Sequence, residues 1–505
     1  MSFQLYRQSL SIFPFLISVI LIGVLFCSTA LFARVIIDPR VSAAVNYTDN
    51  IRLANSGEEV ADRVFELIPG FFLEAESKYV NAFLEYDLVL FSYKNTSDGY
   101  TYLNQVNGAL NAEIVPETFF LDANINNSQR TINSTGVVSD NLFTVTDNRA
   151  DVFAFSVSPS FQHRYGNFSS LLARYTYDRT RYSARDDATI TGQDPSGFNH
   201  RFLFELLSGP RFVRGKLGLT YNFQQFNNTP EKGAVTTGIY QDILLSGSYK
   251  LGSRVSGIAT VGYEYKDSSD RKEIEKGFTR SIGASWNPSR RLLVNATFGK
   301  RFYGNAKTML IKYYRRRAIF NLKYTEDVTN DTGVIAEENI ENNQQAPGTP
   351  SSNELVFPTV QYGIFVRKRF VADFKYEAKR GLLHFLAYNE LRDYDDEAKN
   401  DEQIFGGVGT FEYNFGKTSY FSLIVDWSKT YFNDATTEDI NNGIVAKDER
   451  IDFIRKGELS INKLLSTSSQ LKLAYTYIER DSNERQHDYA QNVITANIDI
   501  VFDNL

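Results

Sequence analysis

The sequence predicts an all-β protein, a transmembrane antiparallel up-and-down β-barrel of about 22 strands (roughly 20 to 24) behind an N-terminal signal peptide. Three observations predict this fold. Apolar and polar side chains alternate with a period of two, the pattern returns about every 20–22 residues, and short connections alternate with long ones. The composition agrees, because 14% of the 505 residues are aromatic and the chain has one cysteine and two methionines.

The first 33 residues have the features of a secretory signal peptide. Arg7 is the one charged residue in this segment, an apolar stretch follows at 10–26, and the small residues of 28–30 offer a cleavage site. An apolar run of about 17 residues would also suit an uncleaved membrane anchor, but the small residues favour cleavage. The predicted organisation is therefore a signal peptide at 1–33 and a single outer-membrane β-barrel domain at 34–505.

Strand periodicity runs through the rest of the chain. In residues 80–90, Leu84 and Leu88 lie on one face of the predicted strand. Glu85 and Asp87 lie on the other face. The same alternation occurs at 171–180, 420–430 and 493–502. A soluble sandwich would bury the apolar faces against a second sheet, whereas a membrane barrel exposes them to lipid. Predicted strands of 10–14 residues, longer than the average of about 5–6 in soluble proteins, favour the barrel.

The connections predict which ends of the strands face the periplasm. Short turns are predicted at 76–78, 115–117, 163–167, 209–215, 250–254, 287–290, 315–317, 379–381, 415–419 and 466–469. Long connections, rich in Asn, Asp, Thr, Gly and Ser, are predicted at 126–148, 183–199, 228–237, 266–275, 328–354, 393–402 and 433–450. Outer-membrane barrels have short periplasmic turns and long extracellular loops. An even strand number then leaves both chain ends on the periplasmic side.

Charged residues on the polar faces of strands are the candidates for a lumen lining. The clearest set lies on one face of a single predicted strand: Arg367, Arg369, Asp373, Lys375 and Glu377. Further candidates on other strands are Glu85, Asp87, Arg174 and Asp178. Opposed charges in a lumen set the local field and the selectivity. Two interpretations stay open at this point, namely a hydrated path for a polar solute and a lumen filled by its own salt bridges.

The last predicted strand ends at Phe502, which is a candidate signal for the barrel assembly machinery because bacterial barrels commonly end in an aromatic residue on the lipid face. Residues 503–505 follow it and depart from that pattern. The expected surroundings of the barrel are outer-membrane lipid and lipopolysaccharide.

Several classes of function are excluded or disfavoured. The net charge of −6 removes the main reason to expect nucleic acid, and one cysteine allows neither a disulfide framework nor a cysteine-based zinc site. The four histidines are scattered and no catalytic motif is present, so the sequence predicts neither an enzyme nor a cofactor. The acidic segments 337–341 and 393–402 are expected to be solvated surface loops rather than cation sites. The basic segments 315–317 and 379–380 are expected at periplasmic turns, as ordinary turn chemistry or as a docking point for an anionic partner or polymer.

Short segments in a shared order resemble the PEP-CTERM system-associated outer-membrane protein family, often found beside exopolysaccharide genes. The resembling segments are 47–50, 156–159, 163–166, 208–210, 301–305, 315–317, 324–328, 365–369 and 489–502. Together they extend over most of the mature chain. The resemblance implies an outer-membrane barrel of a Gram-negative bacterium, tied to exopolysaccharide production or export. It also implies exopolysaccharide and periplasmic export proteins as partners.

Three functions follow as hypotheses: a conduit or docking component for exopolysaccharide, a general diffusion porin, and a structural or adhesive barrel that contacts the extracellular matrix. A barrel of about 22 strands usually needs a plug. Few residues precede the first predicted strand, so no N-terminal plug domain is expected. The sequence analysis therefore predicts a wide lumen narrowed by inward-folded loops, with 328–354 as the first candidate.

Overall fold

The computed structural model describes residues 34–96, 99–131, 136–139, 141–184, 196–229, 236–269, 274–343, 364–394, 402–432 and 450–502. The predicted signal peptide lies outside these residues. The described chain forms one sheet of 22 strands. Its strands are β1 (Arg34–Thr48), β2 (Asp62–Glu76), β3 (Val80–Tyr93), β4 (Tyr100–Val115), β5 (Phe119–Thr131), β6 (Arg149–Tyr165), β7 (Ser169–Ala184), β8 (Ser196–Ser208), β9 (Gly215–Thr229), β10 (Thr236–Lys250), β11 (Val255–Ser268), β12 (Glu275–Ser289), β13 (Leu292–Arg301), β14 (Gly304–Arg315), β15 (Ala318–Thr329), β16 (Phe365–Glu377), β17 (Gly381–Tyr394), β18 (Glu402–Asn414), β19 (Ser419–Phe432), β20 (Arg450–Leu464), β21 (Ser469–Ser482) and β22 (Tyr489–Val501). Helix α1 (Asp331–Asn343) lies between β15 and β16, and a 3₁₀ turn (Arg485–His487) precedes β22.

The sheet closes on itself. Each strand pairs with the next in antiparallel register, and β1 also pairs with β22, from Arg40 opposite Val501 to Thr48 opposite Val493. Closure leaves no bare sheet edge, which a chain in lipid requires because its backbone groups have no water to bond. The predicted fold and the predicted number of about 22 strands are confirmed. Among the described residues, no helix is long and apolar enough to cross a membrane.

The outer surface is an apolar band. On each strand the outward positions alternate with inward ones, and large apolar side chains such as Phe65, Leu245, Ile282 and Phe298 are exposed on the outside. A typical strand here has about 14 residues, which at about 3.3 Å per residue and a tilt of about 40° spans roughly 35 Å. This exceeds the apolar band of about 25 Å that outer-membrane barrels present to lipid. The outward surface is therefore the lipid contact of an outer-membrane barrel.

The two ends of the barrel differ as predicted. The periplasmic turns are short: they range from two residues, as at 290–291 and 316–317, to six at 209–214. The extracellular connections have six or more residues, with one exception that was not predicted. Hairpin β13–β14 has a two-residue extracellular turn, Phe302 and Tyr303, between short strands of 10 and 12 residues. The barrel wall is therefore lowest at this hairpin.

Most apolar cores of the described residues form where extracellular segments fold into the barrel mouth, and one further cluster, Leu386, Tyr388 and Ile404, lies on the inner faces of β17 and β18. One contains Ile51, Phe91 and Leu103 together with Phe143 of the β5–β6 connection. Another joins Phe226 and Tyr240 to Val328 and Ile364, beside the Phe302–Tyr303 turn. The interior of this barrel is thus packed near its extracellular end.

Candidate functional site in the barrel lumen

The predicted lumen candidates point inward and lie in ion pairs. Arg174 lies 3.6 Å from Asp122, Asp178 lies 2.8 Å from Arg201 Nε, and His384 Nε2 lies 2.7 Å from Asp373. Lys375 lies 3.0 Å from Glu377. Arg174 reaches from β7 over β6 to Asp122 on β5, and the other pairs join neighbouring strands or positions two apart on one strand. All of them line the wall without crossing the lumen.

Glu85 and Asp87 share a partner that lies two strands away. Arg40 on β1 donates to Asp87 on β3, with 3.0 Å from Nε to Oδ1, and also contacts Glu85. The residue between them on β2 is Gly70, which stands opposite both Arg40 and Asp87 in the register. A Cβ atom on Gly70 would lie 2.0 Å from Asp87 Oδ1. The absence of a side chain at this position therefore lets Arg40 reach over β2.

Arg367 and Arg369 belong to a buried cluster at the extracellular end. Arg367 bonds Asp327 at 2.9 Å and Glu337 of α1 at 2.5 Å. Arg369 lies 3.7 Å from Glu390, which also accepts from Arg392 at 2.7 Å. Isolated charges in such a buried place would cost several kcal/mol each, so the alternation of acids and bases is required. The cluster fixes the N-terminal half of α1 to β15, β16 and β17.

Helix α1 crosses the lumen. It follows β15 in the chain but contacts β5, β6, β7 and β8 on another part of the wall. There Ile335 packs with Val152, Ala154 and Tyr182. Asn330, just before the helix, exchanges hydrogen bonds of 2.7 and 3.0 Å with Asn199 on β8. We call residues 330–343 the strap. The described part of the predicted 328–354 constriction therefore does fold inward.

The strap corrects the expectation that 337–341 is a solvated acidic loop. Glu338 is 4% exposed and accepts from Arg130 Nη1 at 2.8 Å, while Glu337 bonds Arg367. The acidic run is buried instead of solvated, because Glu337 and Glu338 form ion pairs with arginines on two sides of the lumen. The expectation for 393–402 was also wrong at Glu402, which is buried opposite Arg392; residues 395–401 of that segment lie outside the described residues.

Burial raises the pKa of the Glu338 carboxyl above its ordinary value, and the charges of Arg130, Arg369 and Arg392 oppose that rise. Loss of water around the carboxylate is the larger effect, so the docked strap favours the protonated form of Glu338. The protonation state of Glu338 therefore affects how stably the strap docks on the barrel wall.

A second extracellular segment also folds inward. Arg149 donates to the carbonyl oxygens of Ser139, Asn141 and Leu142, at 2.7 to 2.9 Å, and the Tyr93 hydroxyl donates to the Phe143 carbonyl. The sequence predicts an extracellular connection at 126–148, but it does not predict this inward fold. The apolar pair at 142–143 was the available signal.

Below the strap, the lumen wall is divided by charge. Lys312 and Lys323 point inward from β14 and β15, and no described carboxylate lies within ion-pair distance of either. Glu66 and Glu74 point inward from β2, next to Glu85 on β3. In a ring of 22 strands, β2 stands opposite β13, eleven strands away. We call Lys312 and Lys323 the basic sector and the glutamates on β2 and β3 the acidic sector; the two lie on roughly opposite parts of the wall, with Arg40 among the acids and Asp373 beside the lysines.

The basic sector continues onto the periplasmic rim. Five consecutive periplasmic turns, from β8–β9 to β16–β17, contain basic residues and no acidic one. Their exposed cations, with those of the adjoining strand ends, form what we call the basic arc: Arg211, Arg214, Lys250, Arg254, Arg290, Arg291, Arg315, Arg316, Arg317, Lys379 and Arg380. A cleft of about 550 Å³, lined by Arg254, Arg290, Arg291, Lys312 and Tyr314, brings Lys312 of the lumen wall together with three arginines of this arc.

Sequence reasoning missed the partners that complete these clusters. Arg130, Glu390 and Arg392 are all inward and buried or nearly so, but none was proposed. Glu390 and Arg392 are two residues apart on β17, so period-two alternation was a signal that could have found them. Within the described ranges, no group of three or more His, Cys, Asp or Glu side chains is placed to hold a metal ion.

No protein-family model matches the chain, and no curated protein matches it. Solved structures do share its fold. A mutant of the ferric enterobactin receptor PfeA from Pseudomonas aeruginosa is 10% identical, with a TM-score of 0.50 over 92% of this chain and 80% of that one. The FrpB iron transporter from Neisseria meningitidis is 10% identical, with a TM-score of 0.51 over 92% of this chain and 81% of that one. The protein is a 22-stranded outer-membrane β-barrel whose fold is similar to that of these receptors and transporters.

Proposed function

We propose that this barrel is a gated conduit for an anionic polysaccharide, acting in exopolysaccharide export across the outer membrane. The observation that carries the proposal is the strap, which crosses the extracellular end of a lumen that leads to the basic arc on its periplasmic side. The resemblance in sequence to barrels found beside exopolysaccharide genes supports the same cargo.

The charge distribution supports a polyanion entering from the periplasm. The basic arc raises the local concentration of a negatively charged chain at that end. Lys312 and Lys323 then offer cations along the wall without a described carboxylate to neutralise them. A single flexible polysaccharide chain can follow such a path into the lumen, whereas a folded acidic protein would contact the arc alone.

The contacts of the strap support gating, because the strap can detach from the wall while the barrel stays folded. Its two sides are held by ion pairs and two small apolar clusters, around Ile335 and Val334, without a β-ladder. Such contacts break and reform without unfolding the barrel. In the described conformation the strap lies across the extracellular end, and the proposal is that export of a polymer requires its displacement.

A docking barrel with a permanently closed mouth is the second candidate. The buried ion cluster around Arg367 and Arg392 favours it, because removal of one partner from such a cluster is costly. Two of the structures with a similar fold are a ferric enterobactin receptor and an iron transporter. Ferric enterobactin therefore serves as a comparison ligand in the test.

The test is current through single barrels in planar bilayers, with polymer added to one side at a time. Polygalacturonate fragments serve as the anionic polymer and dextran of matched size as the neutral one. We expect polygalacturonate to interrupt the current from the periplasmic side only, and dextran and ferric enterobactin to have little effect. Conductance that no polymer interrupts would indicate a general diffusion porin. Absence of conductance in a folded barrel, even after the strap is released, would indicate docking.

A further inference from the structure

Directly opposed like charges are rare in the described ladders of this barrel. The register places three such pairs face to face on adjacent strands: Asp242 with Glu264, Arg367 with Arg392, and Arg280 with Lys300. Like charges in this position repel each other, because their Cβ atoms lie about 4.5–5.5 Å apart. Each pair therefore needs a counter-charge or a bridging group.

The two inward pairs have their compensation within the protein. Arg301 Nε donates to Glu264 at 2.7 Å, and Asn222 donates to Asp242 at 2.8 Å. For the other pair, Arg367 bonds Asp327 and Arg392 bonds Glu390. Internal charges in this barrel are thus arranged in complementary sets.

The third pair faces outward and has no such compensation among the described residues. Arg280 on β12 and Lys300 on β13 are exposed, and no described carboxylate lies within ion-pair distance of either. Lys307 on β14 adds a third outward cation on the diagonal of Lys300. Glu326 is close, since it accepts from the Lys307 backbone N–H at 3.2 Å, but its carboxylate is held by the hydroxyls of Tyr303 and Tyr324.

The depth of Arg280 and Lys300 in the membrane indicates which group outside the protein neutralises their charge. Strand β13 has 10 residues, which at about 3.3 Å each and a tilt of about 40° rise roughly 25 Å, the thickness of the apolar band alone. Lys300 is next to the end of β13, so it lies where the outer leaflet meets its headgroups. Directly below, the opposed outward residues are Ile282 and Phe298, which are 71% and 54% exposed.

From this arrangement we infer that Arg280, Lys300 and Lys307 bind a phosphate group of lipopolysaccharide, with its acyl chains against Ile282 and Phe298. Cations above an apolar pair match a phosphorylated lipid, whereas a free phosphate would leave the apolar pair without a role. Charge-assisted contacts to phosphate are among the strongest hydrogen bonds in proteins. The site fixes lipid at the lowest point of the barrel wall and does not depend on any transport role.

The experiment compares lipid retention by the full refolded protein, measured by native mass spectrometry. The probes are bisphosphorylated lipid A, dephosphorylated lipid A and inorganic phosphate. The test variant is R280Q/K300Q, and the matched control is R179Q/R181Q, which removes two outward cations from the extracellular half of β7. Heat-modifiable migration on gels establishes that each variant is folded.

We expect bisphosphorylated lipid A to bind wild type and control at least tenfold more tightly than R280Q/K300Q, and dephosphorylated lipid A to bind all three equally. We also expect R280Q/K300Q to have a higher Tm than wild type in lipid-free detergent, because the repulsion is gone, and to gain less Tm when lipid A is added. Equal retention of lipid A by wild type and R280Q/K300Q would overturn the inference. If inorganic phosphate raised the Tm of the wild type as much as bisphosphorylated lipid A does, the assignment of the site to a lipid would be overturned.

Discussion

Gly70 allows an ion pair between two strands that are not neighbours, Arg40 on β1 and Asp87 on β3, because it has no side chain between them. In Gly70→Ala, the new Cβ would meet Asp87 Oδ1 at 2.0 Å and the Tyr86 carbonyl oxygen at 2.5 Å. We expect a loss of about 1–3 kcal/mol in stability, as overpacking in a filled site typically costs. The measurement is unfolding in urea, followed by tryptophan fluorescence and gel migration. Gly457→Ala is the control, because nothing lies within 4 Å of a Cβ there; equal losses in both variants would refute this role of Gly70.

Glu338 makes docking of the strap dependent on pH. Its pKa is raised by burial, so its contribution to docking is complete below its ordinary value of 4.5 and is lost as pH rises through the raised value. We expect wild-type barrels to open more often at pH 7.5 than at pH 4.5. Glu338→Gln resembles the protonated form and should lose most of this difference while it still accepts from Arg130. Single-channel recordings at both pH values test this, and an unchanged pH dependence in the variant would contradict it.

At the residue scale, the sequence was sufficient for orientation but not for pairing. Period-two alternation placed Arg367, Glu85 and Asp178 on inward faces, because side-chain direction is a local property of a strand. Their partners depend on register and on loops. Arg40 reaches Asp87 only because Gly70 lies between them, and no local pattern contains that information.

At the scale of elements, the strap is held to one wall by a small apolar contact. Ile335→Asp places a charge among Val152, Ala154 and Tyr182, which should release that side of the strap. We expect the mean conductance to rise several-fold while the barrel keeps its heat-modifiable migration. Ile335→Val is the conservative control and should behave as wild type. If both variants conduct alike, α1 does not obstruct the lumen.

Phe502 extends the last strand beyond its ladder, and its role as assembly signal remains a prediction. Its backbone N–H bonds the Pro39 carbonyl at 2.8 Å, and its ring is exposed on the outside. In Phe502→Ala we expect several-fold less folded barrel in cells, with little change in the stability of protein refolded in detergent. Quantification of folded protein in membranes and in vitro separates the two effects. Equal losses in both would assign Phe502 to stability instead.

The element pattern was largely predictable because strands and periplasmic turns are local. The helix was not: residues 331–343 read as a polar connection, and their helical form depends on arginines supplied by β5, β16 and β17. The short β13–β14 hairpin was missed for a related reason. Its two-residue turn, Phe302 and Tyr303, is aromatic because it packs against Tyr240 of another strand, whereas turn prediction relies on Gly, Asn and Asp.

At the scale of the whole molecule, the basic arc should make polymer capture sensitive to salt. Exposed charges lose most of their mutual attraction beyond about 10 Å at 0.1 M ionic strength. We expect the Kd for polygalacturonate to rise at least tenfold between 50 and 300 mM salt. R315Q/R316Q/R317Q should bind more weakly and with a smaller salt dependence, whereas K417Q, on a periplasmic turn outside the arc, should match wild type. Titration in nanodiscs measures both, and a salt-independent Kd would rule out the arc as the capture surface.

The strand count, closure and outward apolar band could be predicted because they follow from alternation repeated along the chain. The division of the lumen into acidic and basic sectors could not. It requires knowing that β2 and β13 stand opposite each other, a consequence of closure at 22 strands. The charge distribution of the lumen is therefore a property of the assembled ring rather than of any one segment.

If the strap is the gate, a reversible lock that holds it against the wall must keep the barrel closed. Asn199→Cys with Asn330→Cys, in a C27S background, places two thiols where the side-chain amides now bond at 2.7 and 3.0 Å. Single-channel conductance and polygalacturonate flux are measured before and after reduction. We expect the oxidised barrel to stay closed and the reduced one to conduct as wild type. Equal conductance and flux in the two states would contradict the gate.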